Sequence, residues 1–139
     1  MFTAEKLKAV YTYGQPMIGT PDFANACAAD PFLGKRVIRY IYSHDIVPQL
    51  PPTASGPFAH FGPERQYHLK ADTGQWADNA QPTKQLRHVL EVLGSPLTLL
   101  GGPFRVLRNV PFRASVEDHL PQHYIPALTP PGVRSEFGD

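Results

Sequence analysis

Two residues far apart in the chain have the types best suited to chemistry. Asp45 stands where the run V-I-R-Y-I-Y-S-H-D leaves a strand pattern for the turn I-V-P-Q-L-P-P, and His119 lies in E-D-H-L-P-Q-H-Y-I. A carboxylate just past the C-terminal end of a parallel strand is where open α/β sheets keep groups that face a shared crevice. An imidazole with one ring nitrogen tied to a carboxylate is a general base that works near neutral pH. Asp45 and His119 therefore have the chemistry of the orienting acid and the base of a nucleophilic triad. Each also has a plainer reading. Asp45 can cap the turn that follows it, and His119 can be a loop or helix-end histidine making a structural bond. Pro48, Pro51 and Pro52 fix the loop after Asp45, which suits a residue that must hold an imidazole in one orientation.

A nucleophile to complete the set is not evident. A serine nucleophile on a G-x-S-x-G elbow occupies a strained strand-to-helix turn. Ser43, Ser55, Ser95, Ser115 and Ser135 all lack that setting. Cys27, the single cysteine, is flanked by alanines in an expected helix and reads as a small buried hydrophobe. Metal chemistry is no better supported. His119 and His123 are four apart, but there is no H-E-x-x-H, and His44, Asp45, His60 and His68 have no recognised ligand spacing.

The elements that must position Asp45 and His119 are short. Sixteen prolines in 139 residues, against a usual ~5%, argue for many brief segments joined by fixed loops. Apolar residues make up 42% of the chain, enough for a core, and 13 basic against 12 acidic residues give no electrostatic case for nucleic acid. The first ten residues lack a signal-peptide core, and no window is apolar enough to span a membrane. Residues 9–13 compose a strand closed by Gly14-Gln15-Pro16. Thr20, Pro21 and Asp22 predict a helix start, with Phe23, Ala24, Ala26 and Cys27 as its apolar stripe and Pro31 and Gly34 as its end. Residues 36–43 form the next strand, which gives βαβ spacing and two parallel neighbours.

A third strand is expected over 66–70, a polar linker holding Trp76 over 72–82, and a helix over 83–93 with Leu86, Val89, Leu90 and Leu93 on one stripe. The stretch 95–111 is apolar with no clear period. Ser115 is a candidate cap for a last helix with Asp118 at its third position, and 126–139 reads as a tail. Two or three strands do not make an independent sheet, so the fold expected is the C-terminal portion of a larger α/β domain, incomplete by itself.

Several segments carry a family resemblance. Val10-Tyr11-Thr12-Tyr13-Gly14-Gln15-Pro16 with Gly19, Phe23 and Ala24 resembles the strand and turn that follow the nucleophile helix in class 3, fungal-type triacylglycerol lipases. Asp45-Ile46-Val47-Pro48-Gln49-Leu50-Pro51-Pro52 is similar to that family's acid segment, and His60, Gly62, Glu64 and Tyr67 match its H-x-G-x-E-x-x-Y run in order. Asp118-His119 with Tyr124-Ile125 resembles the segment bearing the triad histidine. The resemblance covers 10–70 and 116–125, roughly half the chain. Met17 and Thr20 depart from it, standing where the family commonly has arginine and asparagine.

What the resemblance implies is the C-terminal part of an α/β-hydrolase sheet with flanking helices, residues 1–125, followed by a tail, 126–139. Asp45 would be the triad acid and His119 the base. Family chain order runs nucleophile, acid, histidine, which puts the serine upstream of residue 1 and makes this chain inactive alone as an ester hydrolase. No cofactor or metal is implied. The alternative is a non-catalytic fragment or degenerate homologue that binds lipid or a partner. Lys84, Arg87, Arg105, Arg108 and Arg113, interleaved with leucines and phenylalanines over 83–113, would suit an anionic lipid surface, or a cover over the sheet edge. The compartment is open, since a leader could precede Met1.

Overall fold

The structure, a computed structural model, describes residues 7–70, 73–79, 81, 83–85 and 116–134. Among the described residues the strands and α-helices are, in order, β1 (Val10–Tyr13), α1 (Pro21–Ala29), α2 (Leu33–Arg36), β2 (Val37–Tyr42), β3 (Glu64–Lys70), β4 (Thr73–Asp78) and α3 (Pro121–Leu128). They build a mixed sheet of order β1-β2-β3-β4, in which β1, β2 and β3 are parallel and β4 is antiparallel to β3. Sheet plus helices is the α/β class expected.

α1 begins as its sequence dictates. The Thr20 hydroxyl accepts the Phe23 amide at 3.3 Å, Pro21 opens the helix, and Asp22 sits in the first turn. Its apolar stripe is narrower than expected: Ala24 and Cys27 are buried, whereas Phe23 and Ala26 are exposed. The Phe23 ring instead meets Phe61 edge-on at 5.9 Å. The helix ends at Ala29, with Asp30 extended ahead of Pro31 as expected. The Asp30 carboxylate accepts the amides of Phe32 and Leu33, both at 2.8 Å, and so starts α2, which contains Gly34.

Strand alternation splits β2 into two faces. Val37, Arg39 and Ile41 point one way and are buried; Tyr40 and Tyr42 point the other way into an aromatic cluster. On the first face Arg39 pairs with Glu64 at 2.9 Å, both side chains almost wholly buried. Glu64 also accepts the Thr83 amide and hydroxyl, and the Arg39 Nε–H donates to Phe61 O. These bonds are what begins β3 at Glu64, two residues before the expected start. Gly62, at φ +79°, lets the chain enter β3 against β2, where a Cβ would strike the Val37 carbonyl oxygen.

The second face corrects the linker reading of 72–82. Thr73–Asp78 is a strand, with Trp76 opposite Tyr67. One aromatic in T-G-Q-W-A-D gives almost no period; tertiary contact decides it. Trp76 meets Tyr40 at 4.9 Å and Tyr67 at 5.0 Å, and its indole N–H donates to Ala127 O at 2.8 Å. β4 thereby anchors α3. The helix runs through Leu128 with Pro126 inside it, three residues into the segment read as a tail. Of the expected helix 83–93, residues 83–85 are non-helical and the rest lies outside the described residues, as do 95–111 and Ser115. His119 ends a 3-10 turn, Glu117–His119, whose N-cap position is Val116 rather than Ser115.

Candidate functional site

β2 delivers Asp45 to the C-terminal end of the parallel strands. The turn is made by Ser43, at φ +43°, a left-handed conformation that a serine rarely adopts. Its amide donates to Tyr67 O and its carbonyl accepts the Gln66 side-chain amide, so neighbouring strand β3 holds the strained residue. The turn sends the Asp45 side chain inward, where the residue is only 2% exposed.

Both oxygens of the Asp45 carboxylate are engaged. Oδ1 accepts the Val47 amide at 2.9 Å, and Oδ2 accepts His119 Nδ1–H at 2.9 Å and the Tyr124 hydroxyl at 2.6 Å. One oxygen thus caps the turn, as its plainer reading has it, while the other is bonded to the imidazole of His119. An ionised carboxylate can only accept, so Nδ1 is the donor in this bond, and in the neutral ring Nε2 is then the nitrogen with the lone pair. The His119 side chain remains 37% exposed. It borders an open cleft of about 790 Å³ whose walls include Tyr13, Leu120, Ile125, Leu128 and Val133, with Arg134 also on its lining.

Two neighbours fix the pair, and sequence reasoning assigned a role to neither. The Tyr124 hydroxyl accepts the Tyr42 amide at 2.9 Å while donating to Asp45, taking up a β2 donor where β1 has ended. Burial, reinforced by the bond to Asp45, raises the Tyr124 pKa, so the phenol keeps its proton and stays a donor. Gly14, at φ +57°, forms the floor. A Cβ there would enter the His119 ring and lie 2.5 Å from Asp45 Oδ2. The available signals were the Tyr-Ile pair after Asp118-His119 and the G-x-P turn, but nothing local says what either residue touches.

The loops bearing acid and base are also tied together. The His44 amide donates to Asp118 Oδ2 at 3.0 Å, and Ser43 Oγ lies 2.9 Å from His44 Nδ1. Pro48 is fully buried, and its carbonyl accepts His60 Nε2–H at 2.7 Å. Burial, and then the Arg39 charge, pulls the His60 pKa down to about 4, so at neutral pH it is a neutral strut under the acid loop. Met17, at one departure from the family pattern, is buried, and its amide donates to Leu50 O at 2.8 Å; Thr20, at the other, caps α1. Cys27 is buried in α1, as expected, and His123 stacks on Tyr42 at 5.3 Å.

Comparison with known proteins finds lipases. Residues 2–55, from before β1 to just past the acid loop, match the class 3 lipase family. A lipase from Rhizomucor miehei is 44% identical over 55 residues, which is 40% of this chain and 14% of the relative. Among solved structures, a triacylglycerol lipase whose catalytic centre is formed by a serine protease triad is 27% identical, covers 81% of this chain and 34% of that one, with a TM-score of 0.47. Lipase II from Rhizopus niveus is 26% identical, at 81% and 33% coverage and a TM-score of 0.46. The chain thus spans about a seventh of the curated relative and a third of the solved lipases.

Proposed function

Starting from its relationship to class 3 lipases over residues 2–55, we propose that the chain supplies the acid and base of a serine ester hydrolase. Asp45 is the triad acid and His119 the base. The observation that carries this reading is the 2.9 Å bond from His119 Nδ1–H to a buried carboxylate that Val47 and Tyr124 hold in place. With Nδ1 so engaged, Nε2 takes the proton of a serine hydroxyl as that oxygen attacks the ester carbonyl, then returns it to the departing alcohol. A water deprotonated by the same nitrogen releases the acid from the acyl-enzyme. The serine comes from a segment outside these 139 residues, since none here stands in a G-x-S-x-G setting. The substrate class is an acylglycerol or related lipid ester. The basic, apolar segment 83–113 is the part of the chain suited to meeting a lipid surface.

The first test is an assay of the chain alone on a p-nitrophenyl ester and on a long-chain triglyceride. The expected result is no turnover above buffer. Robust turnover that His119→Ala abolishes would mean that a nucleophile lies within the chain.

A further inference from the structure

The bond between Asp45 and His119 joins two loops that lie 74 positions apart in the chain. The side that carries the base is a slight element. His119 ends a single 3-10 turn, Glu117–His119, with no buried residue in it, and the side chains on either flank, Val116 and Leu120, are exposed. Such turns are short and poorly bonded within themselves, and apolar burial does not hold this one. A lone bond from Nδ1 to Asp45 Oδ2 would leave the imidazole free to swivel about it.

A second bond runs the other way between the same two loops. Asp45 of the acid loop accepts the ring of His119, and Asp118 of the base turn accepts the backbone of the acid loop: the His44 amide donates to Asp118 Oδ2 at 3.0 Å. The acid loop is shaped to offer that amide. The Ser43 amide goes to Tyr67 O and the Asp45 amide to Tyr42 O. Between them the left-handed Ser43, at φ +43°, turns the His44 N–H out of the ladder and to Asp118. A strained non-glycine residue persists where its surroundings over-determine it, and the Gln66 side chain on β3 holds the Ser43 carbonyl.

We propose that Asp118 is a positioning residue for the base: its carboxylate, through the His44 amide, sets the distance and angle at which His119 meets Asp45. It acts as a hydrogen-bond acceptor, not as a charge. The proposal rests on the function proposed above and deepens it, because Asp118 works through the acid loop rather than on the reacting atoms.

The test is proton NMR of the full chain. The His119 Nδ1–H gives a low-field resonance, assigned by its loss in His119→Ala. Asp118→Ala removes the acceptor and should speed exchange of that proton with water about tenfold, the worth of one hydrogen bond, and so broaden the signal. Asp118→Asn keeps an acceptor oxygen, drops the charge and should retain the signal. Trp76, whose indole N–H is bonded to Ala127 O, reports by fluorescence that α3 stays docked in each variant. Should Asp118→Ala fail to fold, Asp118→Ser, whose oxygen sits one bond nearer the backbone, is measured in its place; unfolding of both makes Asp118 a stability residue and overturns the proposal. An unchanged resonance in Asp118→Ala overturns it too. So does an equal loss in Asp118→Asn, which would make the charge the cause, and so does the lack of any low-field resonance in the unaltered chain. The resonance reads geometry alone. The expected pattern in a chain that takes no part in ester hydrolysis leaves the tie through Asp118 standing and counts against the proposed function alone.

Discussion

At the scale of single residues, the site depends on how many groups share one carboxylate. Asp45 Oδ2 serves both His119 and Tyr124, and the Tyr124 hydroxyl is also the acceptor for the Tyr42 amide. Tyr124→Phe leaves that buried amide without a partner and frees one side of Asp45. Chemical denaturation should show a loss of about 1–3 kcal/mol. Gly14→Ala fails differently. A left-handed backbone costs alanine roughly 1–2 kcal/mol, and its methyl group would occupy the space of the His119 ring. The variant is expected to lose the low-field Nδ1–H proton resonance of the His119–Asp45 bond; persistence of that signal would show that the floor can yield. These residues also mark how far the sequence could be read. The pairing of Asp45 with His119 was expected from the resemblance of their two segments to a family pattern; residue type alone left the capping and structural readings ahead. Gly14 and Tyr124 owe their roles to neighbours 31 to 105 positions away along the chain, and sequence carries no such distances.

At the scale of elements, the same division holds. β1, α1 and β2 were legible because strand composition, a Thr-Pro-Asp helix start and βαβ spacing are local signals. β4 was not, because its one strong contributor, Trp76, gains its meaning from Tyr40, Tyr67 and Ala127. The continuation of α3 past Pro126 was missed for a related reason. Proline inside a helix normally breaks it, and here the helix is held against the sheet by Trp76 and Tyr124. His60 is neutral beneath Pro48 with a pKa near 4, against 6.5 for a free histidine. The unfolded chain therefore binds a proton that the folded chain refuses between those values. Stability is fully retained above about pH 6.5 and falls as pH drops toward 4, by on the order of 2 kcal/mol. Urea midpoints at pH 7 and pH 5 measure this loss. His60→Gln, which retains an N–H donor but does not titrate, should flatten that dependence.

For the whole molecule, the described residues make four strands, three of them parallel, with the candidate pair at one end of an outer strand. No described helix is long and apolar enough to cross a membrane. The roles proposed for Asp45 and His119 as acid and base stand on the bond between them. They are tested by joining the chain covalently behind the portion of Rhizomucor miehei lipase N-terminal to its matching 55 residues and measuring ester hydrolysis. The expected result is turnover that His119→Ala removes and that Asp45→Asn lowers by about 10⁴-fold in kcat. Turnover unchanged by both substitutions would contradict them.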